Sequence, residues 1–313
     1  MTNSWISASL GTTTEDFNRT SGLSPMTNDF YTIWLEENYK RFYRRDFVQL
    51  NASRDLSNGL NLNITLDYSD NNALSNHSNY SFIDYKDKVI QPNVPINNTM
   101  KAWQIENHQS FAYRVVLEYT PQHRYRIRNH TKMYVESKFP TYSLTYKSAF
   151  SGIFGSDARY DLVKLGIRQK VDFGIDDHFS YSVTGGKFLN SDKMYFEDFQ
   201  HFNTQPTDFM FSSYENSFRL LPFYQYSTSD QFLEAHTNWQ TRRLILKQLP
   251  VIRNSMITEK LFVNYLNTPE LKNYVETGYG ISNLFLLLNV EAVAGFENGK
   301  FRSAGVKVSL NLK

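Results

Sequence analysis

Val306, Val308, Leu310 and Leu312 alternate with Lys307, Ser309, Asn311 and Lys313 to the end of the sequence. Successive side chains of a pleated strand point to opposite faces, so this stretch makes a strand with one apolar and one polar face. Leu286, Leu288, Val290, Ala292, Ala294 and Phe296 form a second apolar row, and Asn298-Gly299 supplies the left-handed pair that a two-residue hairpin turn requires. The same period recurs along the chain. Leu60, Leu62, Ile64, Leu66 and Tyr68 follow an Asn58-Gly59 turn, and similar rows run through Phe111 to Tyr119, Tyr142 to Tyr146, Val163 to Phe173, Phe179 to Val183, Leu233 to Trp239 and Met256 to Tyr265. Roughly a dozen strands of hairpin type leave an all-β antiparallel fold as the expectation.

Two β architectures fit, a secreted sandwich and a membrane barrel. The sequence is rich in rings, with 21 Tyr and 24 Phe, yet only 41% of its residues are hydrophobic. Aromatic girdles combined with a polar lumen produce that balance in a barrel, whereas a sandwich core favours Val, Ile and Leu. No run of about 18 apolar residues exists, which excludes a transmembrane helix but not strands of roughly 9–11 alternating residues. A net charge of +2 gives no nucleic-acid signal. With 0 Cys there are no disulfides, thiolate metal sites or Cys nucleophiles.

One amphipathic helix is expected near residues 29–43, where Tyr31, Leu35, Tyr39 and Phe42 recur at helical spacing behind Asn28 as N-cap. Ser4 to Leu10 reads as a short strand and as one candidate neighbour of the last strand, the alternative being that the last strand has no native partner. Residues Ser69 to Asn107, with a candidate strand at Tyr80 to Tyr85, and Asn190 to Asp208 read as long polar loops, the latter continued by strand-like pieces to Tyr226. Asp176-Asp177 reads as a turn, and Leu249-Pro250 as a strand end. Short turns alternating with long loops match the two unlike rims of an outer-membrane barrel.

Several blocks resemble a known family. They are LEENYKRFYRRDF (Leu35 to Phe47), DNNALSNHSNYSF (Asp70 to Phe82), KFPTYSLTYKSAFSGIFGSDARYDLVKLGIRQ (Lys138 to Gln169), LLPFYQYSTSDQFLEAH (Leu220 to His236) and NYVETGYGISNLF (Asn273 to Phe285). The resemblance is to the large outer-membrane barrel proteins of Bacteroidota with a C-terminal domain of unknown function. Full-length members of that family carry an N-terminal carboxypeptidase-regulatory-like domain. The resemblance implies an outer-membrane β-barrel, for which the alternation pattern shows roughly 12 strands or more, with residues 1–313 as one outer-membrane domain and the C-terminal portion of a longer architecture. The first residues, MTNSWISASLG, show no secretion leader.

No G-x-S-x-G, H-E-x-x-H, P-loop or dinucleotide fingerprint is present, so no catalytic residue, cofactor or metal is assigned. Lys164, Arg168, Lys170, Glu234 and His236 are expected on the lumen wall, where charges are normal. Val306, Val308, Leu310 and Leu312 are expected to face lipid. The functional expectation is a non-enzymatic barrel, either a pore or transport protein or an envelope-assembly platform. Its partners would be outer-membrane lipid and other envelope proteins. The alternative is an outer-membrane hydrolase with a rim active site, for which Glu234 and His236 would be the candidates.

Overall fold

The computed structural model describes residues 4–310 except 20, 78, 86, 130, 136, 175, 176, 243, 249 and 251–254. Along the chain lie β1 (Ser4–Asp16), α1 (Pro25–Leu35), β2 (Phe42–Ser57), β3 (Leu60–Ala73), β4 (His108–Tyr119), β5 (Tyr125–Arg128), β6 (Thr131–Tyr134), β7 (Thr141–Ala149) and β8 (Arg159–Asp172). Next come β9 (His178–Lys193), β10 (Phe209–Met210), β11 (Gln231–Thr241), β12 (Thr258–Asn267), β13 (Tyr274–Leu284), β14 (Leu288–Glu297) and β15 (Lys300–Leu310). One sheet of 13 strands takes all but β5 and β6, in the order β1-β2-β3-β4-β7-β8-β9-β11-β12-β13-β14-β15-β10. Every pairing is antiparallel except that of β10 with β15.

The period of two becomes an inside and an outside once the strands pair. Leu62, Leu117, Leu144, Leu165, Gly185 and Leu233 stand level across six consecutive strands. This row faces outward, with Leu165 62% exposed. On the opposite face, one residue from this row, Thr145 stands level with Lys164, and three residues from it Arg114 with Lys147. A slip of one residue would carry the charges outside and the leucines in, so the pattern itself fixes the register. Ile6, Leu10, Val48, Leu50, Ile64, Val263 and Val306 extend the exposed apolar belt around the wall, far beyond the scattered apolar exposure of an ordinary soluble surface.

The sheet curls about residues 194–230, which connect β9 to β11. Asp16 at the end of β1 receives the Tyr224 hydroxyl at 2.7 Å, and Lys307 of β15 reaches Asp208 at 2.8 Å, so both ends of the strand order meet the same inner segment. The wall is a β-barrel with its seam between β1 and β15. Ser4 to Leu10 is not paired with the last strand as expected. Among the described residues β1 pairs with β2 alone, and the free edge of β15 is met at Val308 and Ser309 by β10. Helix α1 backs that contact through Tyr31, whose hydroxyl receives the Phe209 N–H at 2.9 Å.

Three further expectations need correction. The helix spans Pro25–Leu35, not 29–43, because Ser24 is its cap, its hydroxyl accepting the Thr27 N–H, and Pro25 pre-sets the first turn. Asn28 is no cap; its side-chain oxygen holds the N–H groups of Tyr39 and Lys40 in the turn toward β2. Glu36, in the left-handed conformation, ends the helix. Tyr80 to Tyr85 is not a strand, since its backbone is tied to α1 and Glu36, with Phe82 N–H on the Ile33 carbonyl and Tyr85 N–H on the Glu36 carboxylate. Asn190 to Asp208 is irregular only in part: β9 runs through Lys193, and residues 194–208, irregular as read, are largely buried inside the sheet. The structure adds a β5–β6 hairpin that carries no clear alternation in the sequence. Both hairpin turns are present: Asn298 and Gly299 have φ of 49° and 75°, and a Cβ on Gly59 would lie 2.1 Å from the Thr120 carbonyl oxygen. Asp176 and Leu249 lie outside the described residues.

Connections 17–41, 74–107 and 194–230 leave one rim. The tight turns at 58–59 and 285–287 lie at the other, which also carries the β5–β6 hairpin.

Candidate functional site

The candidate site is the lumen and the segment that fills it. Phe196, Phe218 and Leu221 of the inner segment are fully buried beside wall residues Tyr160, Leu266 and Tyr274. The wall is polar on this face, so the segment also needs charges in register with it, and it has them at three places.

On one side Glu197 meets His108 of β4 at 2.7 Å and accepts from Asn71 at 2.9 Å. Asp198 accepts from Lys147 of β7 at 2.8 Å and from the Tyr160 hydroxyl at 2.7 Å. On the other side Arg219 donates from Nε to Glu291 of β14 at 2.7 Å and from a terminal nitrogen to the Ser217 carbonyl at 2.6 Å, with its guanidinium 3.7 Å above the Phe262 ring. Lys260 pairs with the second oxygen of Glu291. Glu276 receives the backbone N–H groups of Arg219 and Leu220, at 2.7 and 2.9 Å. Gly278 leaves room for this stack; a Cβ there would lie 2.3 Å from the Phe262 ring. The third latch is Lys307 on the Pro206 carbonyl and Asp208. The buried charges of the first two latches, paired and hydrogen-bonded in this way, fix one arrangement, because breaking a pair there strands a charge, whereas Asp208 of the third is exposed.

His201, in the inner segment and not on a strand, binds the fold to pH. One ring nitrogen lies 2.9 Å from the Phe196 carbonyl and the other 2.8 Å from the Ser227 hydroxyl. The carbonyl only accepts, so Nε2 carries the proton and Nδ1 accepts from Ser227. Burial, with the nearby Arg19 and Lys147 charges, pushes its pKa down to about 3. A folded-state value below the unfolded one of about 6.5 means that the unfolded segment binds the proton more tightly. Stability is therefore complete above about pH 6.5 and is lost as the pH falls from there toward 3. At pH 5 the loss is expected to be about 2 kcal/mol. Urea titrations of wild type and His201→Gln at pH 7.5 and 5 check this; equal acid sensitivity in the two proteins would refute it.

Among the described residues, cavities open on the inner face of the wall, two of them beside the inner segment. The first, of about 740 Å³, lies between β1–β8 and residues 197–201, and the second, of about 340 Å³, continues past Lys164 to β9 and β11. The third, of about 700 Å³, lies toward the other rim by Trp5, Gly59, His123 and Arg168.

The residues expected on the lumen wall do not form one site. Lys164 lines the first two cavities and reaches Gln200 at 3.3 Å. Arg168 lines the third and pairs with Glu118 at 2.8 Å. Lys170 pairs with Asp172 at 3.3 Å near the end of β8. Glu234 and His236 share the second cavity, 2.9 Å apart. The other His236 nitrogen meets the Asn264 oxygen at 2.9 Å, and Asn264 is oriented by its own bond to the Ser217 carbonyl. Both ring nitrogens are thus engaged. Among the residues expected outside, Val306 is 58% exposed, Val308 and Leu310 are half-buried, and Leu312 lies outside the described residues. Sequence reading missed Arg219, Glu276 and Glu291, whose partners are distant in the chain. Their only local signal was a charge at an inward position of an alternating row, for Glu276 and Glu291. Among the described residues no cluster of three His, Asp or Glu side chains is arranged to hold a metal ion.

No curated protein matches the sequence. Among solved structures, the crystal structure of BamA from Haemophilus ducreyi lacking POTRA domains 1–3 is similar at a TM-score of 0.43 and 10% identity. The match covers 85% of this chain, which spans about half (53%) of that one. Residues 1–281 match the C-terminal domain of DUF5686, a family of unknown function; the chain belongs to this family.

Proposed function

We propose that this chain is the membrane-embedded part of an outer-membrane protein that works without catalysis, as a platform for envelope assembly or export, with its lumen closed at rest. The observation that carries this reading is the inner segment 194–230, latched to both walls of the lumen by buried ion pairs at Glu197, Asp198 and Arg219. A standing pore needs a continuous water path, and the buried apolar cluster around Phe196, Phe218 and Leu221 inside the wall supports a closed one. The exposed apolar belt supports membrane insertion. The resemblance carried by the sequence blocks adds a Bacteroidota origin and a regulatory-like domain in full-length members as parts of the same proposal. The rim hydrolase has less support, since His236 has both nitrogens engaged and no free one to act as base.

Planar-bilayer recording tests the reading. Wild type is expected to insert silently. The double variant Asp198→Asn/Glu276→Gln, which loosens a latch on each wall, is expected to show discrete conductance steps. Sustained conductance from wild type would overturn the closed-lumen reading.

A further inference from the structure

The first lumen cavity has an uneven charge pattern. All five of its carboxylates are committed: Glu15 and Asp67 to Arg45, Asp16 to Lys40 and the Tyr224 hydroxyl, Glu197 to His108, and Asp198 to Lys147. Two cations on the opposite wall are not. Arg114 of β4, exposed to the cavity, has no hydrogen bond or ion pair among the described residues, and Lys164 of β8 reaches only the Gln200 amide oxygen. They stand on either side of β7, where Lys147 is level with Arg114 and Thr145 with Lys164. Strand spacing and rise put their backbones about 12 Å apart, a span that one Arg and one Lys side chain close on a shared anion. Lys164 shares the second cavity with Glu234, which is bonded to His236. Like charges on neighbouring strands oppose one another unless an anion lies between them.

We propose that Arg114 and Lys164, with the Thr145 hydroxyl between them, form a binding subsite for a phosphate group in the lumen. A tetrahedral anion offers oxygens to a guanidinium fork on one side and an ammonium on the other, and charge-assisted bonds of this kind are the strong ones. The group comes either from a soluble phosphate or from a phospholipid headgroup. The subsite goes beyond the platform reading and does not depend on whether the lumen conducts.

Calorimetric titration of the detergent-solubilised full chain with inorganic phosphate at low salt tests it. Wild type is expected to bind saturably. Arg114→Gln/Lys164→Gln is expected to bind at least tenfold more weakly, and Arg168→Gln, whose native guanidinium is already paired with Glu118, as tightly as wild type. Heat-modified gel mobility confirms that each variant is folded, and the two single variants repeat the measurement if the double one is not. A second arm titrates micelles of short-chain phosphatidic acid. Tighter binding of the lipid, with the same loss in the variants, assigns the subsite to a headgroup; binding of free phosphate unaffected by lipid assigns it to a soluble phosphate. No saturable binding of either, or variants that bind like wild type, overturns the proposal.

Discussion

Glu291→Ala is expected to destabilise the protein by about 3–5 kcal/mol, because it strands two buried cations at once. Glu291 is 2% exposed and gives one oxygen to Arg219 Nε and the other to Lys260. Arg219 cannot be neutralised by losing its proton at any accessible pH. Its own backbone N–H and that of Leu220 are held by Glu276, which keeps the side chain at the buried wall. The expected result in urea titration is therefore a lower midpoint, and in limited proteolysis new cleavage between Thr204 and Tyr226. Replacing the whole trio, Arg219→Met/Lys260→Met/Glu291→Met, is expected to recover part of the loss, since well-packed apolar side chains often replace a buried ion network at little cost. A Glu291→Ala protein within about 1 kcal/mol of wild type would mean that the pair is not desolvated as the geometry implies.

Phe196→Ala has a comparable expected effect by a different route. The ring is fully buried, with centroids of Phe17, Phe199, His201 and Tyr224 at 5.5, 5.2, 5.0 and 6.2 Å. Truncation removes its buried area and leaves a hole that neighbours held by strands and latches cannot fill, for about 3–5 kcal/mol. The two variants separate by pH. Phe196→Ala exposes His201 to lumen water, which lifts the burial that depresses its pKa. The acid limb between pH 6.5 and 5 is then expected to flatten in Phe196→Ala and persist in Glu291→Ala. A Phe196→Ala protein that keeps the full acid limb would show that another group sets it.

Much of the wall was legible in the sequence. Leu62, Leu117, Leu144, Leu165 and Leu233 each sat in a clean alternating row, and pairing them needed only hairpin connectivity to place one face inside. Strand ends were less legible. β3 runs on through Asp70, Asn71 and Asn72, residues that read as loop, because their partners on β2 and β4 supply the ladder. The helix expected over 29–43 forms over Pro25–Leu35 instead, because the cap that forms is Ser24 with Pro25 behind it and not Asn28.

The inner segment was not legible at all. Phe196, Glu197, Asp198 and His201 show neither period two nor period 3.6, and of the strand-like pieces read to Tyr226 only Phe209–Met210 is a strand, since a chain that threads a lumen takes its conformation from the wall around it. By itself the sequence determined that this chain makes hairpins with one apolar and one charged face, because strand geometry imposes alternation locally. Only the tertiary structure decided what those inward charges are for. Glu276 meets Arg219 across 57 residues and Glu291 meets it across 72, and a contact that spans such distances exists only after the sheet has curled and brought both walls against the same segment.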